Sequence, residues 1–245
     1  PLSSVHRSRA RYSKPQTIMN RKKKRILLLL PVVLALVAFG AMRRDDEQKT
    51  AHKSLAASKE EARILSVIEE LYDEPNGLWN VPPADGRLLR ILAESRNAKN
   101  VVELGTSNGC SALWFCLALR KTGGKLTTHE IDLYRVSLAR ENFRRAGVAE
   151  IATVVDGNAH ETVRDINEPI DILFLDADKD GYLDYLNKLL WLVRDGGMII
   201  AHNTTDQASQ MPDFLEAITT NPDLETAFVH DQPNGMSITL KKRRY

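Results

Sequence analysis

Apolar residues recur from residue 58 onwards in the alternating pattern of helices and strands. A helix is predicted to begin near Ser58, because Ser58 can cap it and Glu61 follows three residues later. Apolar positions at 88–92 mark a second helix. From there strands and helices are predicted to alternate over 100–104, 111–121, 125–130, 133–146, 152–156, 171–176, 182–192, 198–201, 212–220, 224–229 and 236–241.

This alternation predicts an α/β fold. We expect a doubly wound, seven-stranded, mostly parallel sheet with helices on both faces, which makes three layers, α/β/α. Only a short turn at 232–235 separates the last two segments. They should therefore form a hairpin that makes a C-terminal strand antiparallel.

The first 57 residues lack the alternation and divide into three predicted parts. Residues 1–18 are a basic tail expected to be disordered, 19–42 a membrane anchor or signal segment, and 43–57 a linker to the domain at 58–245. Basic residues 21–25 precede seventeen uncharged residues, 26–42. Since about 20 apolar residues span a bilayer, we expect a single-pass N-terminal anchor and membrane localisation, with export after signal cleavage as the alternative.

The positive charge of the chain is confined to its beginning. Residues 1–25 hold nine Lys or Arg and no Asp or Glu, which leaves 25 basic against 32 acidic residues in the remainder. An acidic domain has no electrostatic footprint for nucleic acid. Cys110 and Cys116, the only cysteines, are read as small core residues.

Polar residues follow the first two predicted strands, where parallel sheets bind ligands. Gly105 and Gly109 allow a tight turn before the next helix, and the absence of G-x-G-x-x-G argues against an NAD dehydrogenase. Glu130 ends the second strand and can accept hydrogen bonds from ribose hydroxyls. Asp132 is expected to cap the next helix, and His129 to be packed.

The third and fourth strands also end in polar residues. Asn158 and the amide of Ala159 can contact a base. The apolar fourth strand ends in Asp176, Asp178 and Lys179, which packing alone does not explain. Carboxylates there suit a divalent ion such as Mg²⁺, and the lysine can take a proton from a hydroxyl.

Together these motifs resemble the cation-dependent O-methyltransferases of the catechol and caffeoyl-coenzyme A type, over roughly Leu78 to Lys241. The resemblance is carried by 81–86, the glycine loop at 102–111, Glu130 and the stretch 175–182. It implies a Rossmann-like fold, Asp176 as a metal ligand and Lys179 as general base. It implies that S-adenosylmethionine (SAM) is bound by Glu103, Gly105, Ser107, Gly109, Ser111, Glu130, Asn158, Ala159 and Asp176.

The chain departs from the family after the next strand. The family has an Asp-Asn pair there, both ligands of the ion, where this chain has His202-Asn203. Two interpretations stay open. Either Asp176, His202 and Asn203 hold a divalent ion, with Mg²⁺ disfavoured relative to Mn²⁺, Fe²⁺ or Zn²⁺, or no metal is bound and His202 is a base or orienting group.

The function expected from the sequence is methyl transfer from SAM to an oxygen of a small catechol-like or phenolic substrate. Substrate contacts are expected from 79–81 and 204–211. One alternative is a membrane-tethered SAM-binding protein that has lost turnover, and another is a metal-independent N- or S-methyltransferase. Among partners we expect a small molecule, no nucleic acid and the membrane through 26–42, and a homodimer stays open.

Overall fold

A seven-stranded sheet with helices on both faces is the centre of the computed structural model, which describes residues 54–74, 78–230 and 232–243. The helices are α1 (Lys59–Asp73), α2 (Pro83–Ser95), α3 (Cys110–Thr122), α4 (Leu133–Ala146), α5 (Ala159–Thr162), α6 (Tyr182–Leu189) and α7 (Pro212–Thr220). The strands are β1 (Asn100–Leu104), β2 (Lys125–Glu130), β3 (Ala152–Asp156), β4 (Ile170–Leu175), β5 (Val193–His202), β6 (Leu224–Val229) and β7 (Met236–Lys241).

The strands lie in the order β3-β2-β1-β4-β5-β7-β6. Strands β1 to β5 are parallel, and β7 runs antiparallel to both β5 and β6. The predicted three-layer fold with an antiparallel C-terminal strand is confirmed. Because the strand order reverses between β1 and β4, the crevice at their carboxyl ends is where such a sheet binds ligands.

Apolar side chains fill both faces of the sheet. Successive residues of a strand point to opposite faces, so Val101 packs on one side with Leu113 of α3, and Val102 on the other with Tyr182 of α6. The central strands are therefore buried on both faces, which explains their nearly continuous apolar sequence.

Most predicted boundaries agree with the structure. Ser58 caps α1, and its Oγ accepts a hydrogen bond from the Glu61 amide at 3.2 Å. The main difference is β5, which begins at Val193 rather than at 198. Its pairing with β4 continues to Ile170 and Val193 across an irregularity in register, so the strand extends beyond its apolar run.

Every helix within 54–74, 78–230 and 232–243 is too short to cross a bilayer. The longest, α1, has 15 residues, which at about 1.5 Å per residue spans roughly 22 Å against a hydrocarbon core of about 30 Å. None is long and apolar enough for a membrane span. The predicted transmembrane anchor and membrane localisation are therefore wrong for the structure as described. The segments that motivated them, 1–18 and 19–42, and residues 43–53 of the linker lie outside the described residues.

Candidate active site

The carboxyl ends of β1 to β5 surround a cavity of about 970 Å³, named the strand-end cavity below. Ligand sites commonly measure about 300–1,000 Å³, so this one is large enough for a nucleoside cofactor and a small substrate. Of the predicted site residues, it is lined by Gly105, Ser107, Ser111, Glu130, Asn158, Ala159, Asp176, Lys179, His202 and Asn203. Glu103 and Gly109 are outside its lining and support the loop after β1.

The loop after β1 has an unusual backbone. Gly105, Ser107 and Gly109 have positive φ angles of 96°, 50° and 90°. A Cβ atom on Gly105 would lie 2.7 Å from the carbonyl carbon of Asp176 and 2.9 Å from the amide nitrogen of Ala177. Only glycine allows β1 and β4 to approach this closely. The left-handed Ser107 is strained for a residue with a side chain, and such strain concentrates at functional sites.

Glu130 connects the ends of β1 and β2. Its Oε2 accepts a hydrogen bond from the Ser107 amide at 2.8 Å, and its Oε1 accepts one from the Asp132 amide at 3.0 Å. Asp132 caps α4 as predicted, accepting from the amides of Tyr134 and Arg135. The Glu130 carboxylate therefore lines the cavity in a fixed orientation.

Glu103 lies beneath the glycine loop and is fully buried. Ser111 donates a hydrogen bond to its Oε1 at 2.6 Å, while Oε2 has no partner within the described residues. Burial raises the pKa of Glu103 to about 8, so the side chain is mainly protonated at neutral pH. Its contact with Ser111 holds the first turn of α3 against β1.

His129 precedes Glu130 and is buried as expected from the sequence. Its Nδ1 lies 2.7 Å from Thr162 Oγ1. Burial lowers the pKa of His129 to about 4, which keeps the ring neutral.

Asn158 and Ala159 begin α5 at the edge of the cavity. The side chain of Asn158 caps this short helix by accepting a hydrogen bond from the His160 amide at 3.0 Å. The amide oxygen of Asn158 is thus partly used within the protein, while both residues line the cavity.

A group around His160 escaped the sequence prediction. The His160 ring is stacked on Tyr185, and its nitrogens lie 2.5 Å from Asp184 Oδ2 and 3.1 Å from Asp178 Oδ2. The Asp184 hydrogen bond, reinforced by Asp178, raises the pKa of His160. The motif around Asp178 was visible in the sequence, but its contact with a histidine eighteen residues earlier was not.

Asp176 and Lys179 are paired at the end of β4. Lys179 Nζ donates to Asp176 Oδ1 at 2.8 Å and to Tyr182 Oη at 3.0 Å. Tyr182 in turn donates to the Leu175 carbonyl at 2.9 Å. Burial would raise the pKa of Asp176, but His202 and Lys179 outweigh it and lower that pKa. Asp176 is therefore held as a carboxylate.

His202 lies between two carboxylates at the end of β5. Its Nε2 is 3.0 Å from Asp85 Oδ2, and its Nδ1 is 3.5 Å from Asp176 Oδ2. Although burial opposes protonation, these two carboxylates raise the pKa of His202 to about 9. Asp85, in the first turn of α2, was not predicted as a site residue, because an acidic residue at that position is typical of any helix.

The separation of two donor atoms, Asp176 Oδ2 and His202 Nδ1, is compatible with a shared divalent ion. Two ligand atoms each about 2.1 Å from one ion lie about 3.0–3.4 Å apart, close to the 3.5 Å between Asp176 Oδ2 and His202 Nδ1. Asn203, which has a φ of 61°, donates from Nδ2 to both oxygens of Asp206. Its carbonyl oxygen is therefore the atom able to act as a ligand. No cluster of three His, Cys, Asp or Glu side chains suits a metal within the described part of the chain, so this set depends on the Asn203 amide.

The family to which the chain belongs is decided by its match to known sequences. The family model described as O-methyltransferase matches residues 53–213, more than half of the chain. The chain belongs to the O-methyltransferase family. The family resemblance predicted from the motifs is confirmed.

Two relatives match only part of this member of the O-methyltransferase family. The catechol O-methyltransferase of Niastella koreensis is 34% identical over 148 residues, which are 59% of this chain and 66% of the relative. The "Probable O-methyltransferase" of Mycobacterium tuberculosis is 38% identical over 128 residues, 51% of this chain and 57% of the relative. The matched segment thus spans less than two thirds of either relative.

A solved structure supports the fold of this O-methyltransferase family member. The O-methyltransferase from Bacillus cereus, in complex with SAH (S-adenosylhomocysteine), superposes with a TM-score of 0.65 at 24% identity. The superposition covers 77% of this chain and 93% of the other. The likeness confirms the architecture.

Proposed function

We propose that the chain is a SAM-dependent methyltransferase that acts on an oxygen of a small hydroxylated substrate. The observation that carries the proposal is the strand-end cavity, in which the glycine loop and Glu130 adjoin the Asp176–Lys179 pair. The residues assigned to the cofactor and those assigned to the reaction thus line the same cavity. Membership of the O-methyltransferase family supports both the reaction and SAM as the cofactor.

The cofactor is assigned to the half formed by β1, β2 and β3. The Glu130 carboxylate, oriented by two backbone amides, has further lone pairs that can accept hydrogen bonds from ribose hydroxyls. Gly105 and Ser107 belong to the part of the loop that is assigned to the methionine portion of SAM. Gly109 and the contact between Glu103 and Ser111 support that loop. Asn158 and Ala159 line the place for the base.

Lys179 is assigned as the group that receives the proton of the substrate. The sulfonium makes the methyl group electrophilic, so the protein mainly has to align the oxygen and remove its proton. The O–CH₃ bond forms as the S–CH₃ bond breaks, and the hydroxyl proton passes to Nζ of Lys179. Asp176, 2.8 Å away, then stabilises the ammonium.

Asp176, His202 and Asn203 are the residues that would hold a divalent ion. When bound, such an ion lowers the pKa of a coordinated hydroxyl and fixes the direction of its oxygen. Lys179 contacts Oδ1 of Asp176, so the other carboxylate oxygen, Oδ2, is the one directed at His202.

A planar phenolic or catechol-like compound is the substrate class that fits the open side of the cavity. Trp79 lines this side with 85% of its surface exposed, which suits stacking on an aromatic ring. Asp206, Gln207 and Gln210 also line the cavity and offer polar contacts. The name of the Niastella relative, catechol O-methyltransferase, supports the same class.

Calorimetry and a product panel test the proposal. The full chain should bind SAM and SAH, and should convert phenols or catechols in preference to amines or thiols. Binding without conversion of any compound would indicate a SAM-binding protein without turnover. Methylated amines or thiols in place of ethers would indicate an N- or S-methyltransferase, and absence of SAM binding would overturn the assignment altogether.

A further inference from the structure

Asp85 is carried into the active site by the packing of α2. The helix begins at Pro83, after Pro82, and Asp85 lies in its first turn. Gly86, the next residue, packs against α3: a Cβ atom there would lie 2.6 Å from Cε2 of Trp114. This close contact fixes the start of α2, and with it the Asp85 carboxylate, beside the end of β5.

The carboxylate of Asp85 is paired with the side chain of His202. Asp85 is 4% exposed and His202 is 3% exposed, and Oδ2 lies 3.0 Å from Nε2. A buried carboxylate needs a partner that satisfies it. The pairing therefore places a proton on Nε2, so an ion would displace the proton of Nδ1 and bind that nitrogen.

The other side of the ring has the separation expected of two ligands rather than of a hydrogen bond. His202 Nδ1 and Asp176 Oδ2 are 3.5 Å apart, longer than the 2.7–3.2 Å or so of a well-formed N–H···O bond. A histidine that binds a metal through one nitrogen usually donates its other N–H to a carboxylate or carbonyl. Asp85, His202 and Asp176 have that arrangement.

We propose that Asp85 is a positioning residue that holds His202 Nδ1 towards Asp176, so that the site binds a nitrogen-preferring transition ion in preference to Mg²⁺. The inference rests on the proposed function for the location of the ion beside the reacting oxygen. A carboxylate in place of His202 would repel the Asp85 carboxylate at short distance, whereas the imidazole donates a hydrogen bond to it. The presence of Asp85 thus explains why this chain tolerates a histidine there.

Ion binding by the full chain, measured apart from catalysis, tests the proposal. Protein stripped with EDTA is titrated with Co²⁺, Zn²⁺ and Mg²⁺ by calorimetry, and the visible absorption of Co²⁺ reports nitrogen ligation. Wild type should bind Co²⁺ and Zn²⁺ more tightly than Mg²⁺. Asp85→Asn should weaken Co²⁺ and Zn²⁺ about 10- to 100-fold and leave SAM affinity within about twofold. His202→Asp should change the Co²⁺ spectrum and reduce the preference over Mg²⁺.

Two controls keep the outcomes distinct. Glu94→Gln, in the last turn of the same helix with a salt bridge to Arg90, should leave ion affinity unchanged. If Asp85→Asn does not fold, nitrogen NMR of histidine-labelled wild type replaces it: Zn²⁺ should shift Nδ1 of His202 while Nε2 stays protonated. The proposal is overturned if wild type binds no divalent ion, prefers Mg²⁺, loses nothing in Asp85→Asn, or binds Zn²⁺ through Nε2. Failure of SAM binding in wild type would instead refute the proposed function.

Discussion

Replacing Gly105 by alanine tests the close approach on which the cavity depends. The new methyl group would meet the backbone of Asp176 and Ala177, with 2.7 Å and 2.9 Å to its nearest carbon and nitrogen atoms there. These atoms belong to the chain just after β4, which is tied to β1 by the hydrogen bond from the Asp176 amide to the Leu104 carbonyl at 2.8 Å. Because backbone cannot rotate away, the two strand ends must separate.

The magnitude follows from two contributions. A left-handed backbone costs a residue with a side chain about 1–2 kcal/mol, and forcing extra volume into a packed site costs about 1–3 kcal/mol. Gly105→Ala should therefore lower the free energy of unfolding by about 2–5 kcal/mol. Gly123, at the end of α3, isolates the first contribution, because its φ is 70° and a Cβ atom there would meet nothing within 4 Å. Gly123→Ala should cost about 1–2 kcal/mol.

Urea unfolding of the two variants, with SAM titrations of each, provides the assay. Gly105→Ala should be the less stable and should bind SAM more weakly, whereas Gly123→Ala should bind SAM as wild type does. Equal destabilisation of the two variants, or unchanged SAM affinity in Gly105→Ala, would refute the view that β1 and β4 form the floor of the cofactor site.

Three further predictions concern single side chains. Glu130→Ala should raise the SAM dissociation constant about 10- to 100-fold, since hydrogen bonds to a charged group contribute about 1.5–3 kcal/mol; calorimetry that shows no change would contradict the ribose assignment. Lys179→Met should lower kcat about 10²- to 10⁴-fold with SAM affinity retained; a variant with wild-type turnover would exclude Lys179 as the base. In metal-free protein the pKa of His202 is raised from 6.5 to about 9, so its protonation stabilises the fold fully below the lower value and that contribution is lost as pH rises through the upper one. The free energy of unfolding of wild type should thus exceed that of His202→Gln by up to about 3 kcal/mol at pH 6, and this difference should disappear by about pH 10. A pH-independent difference in urea midpoints would show that the ring is not charged.

Local sequence signals were sufficient for the architecture. Strand β2 and helix α4 have the predicted bounds, because Asp132 both ends the strand pattern and caps the helix. The strand-end rule then placed Glu130, Asp176 and His202 at one edge of the sheet, since parallel strands end together there.

Contacts between distant segments could not be predicted from these local signals. Asp85 and His202 are 117 residues apart, and their pairing depends on how Gly86 lets α2 pack on α3. The same applies to His160, whose partners Asp178 and Asp184 follow β4 while it follows β3. Side-chain pairing of this kind is set by tertiary packing, which hydrophobic periodicity does not encode.

The destination of the methyl group tests the central claim most directly. The full chain is incubated with SAM carrying a ¹³C-labelled methyl group, a catechol and each divalent ion in turn, and the product is examined by carbon NMR. We predict a labelled methyl group bonded to oxygen, with formation of SAH in equal amount and loss of both in Lys179→Met. A label attached to nitrogen or sulfur in products from matched amines and thiols, or SAM that stays intact with every ion and substrate, would contradict the account.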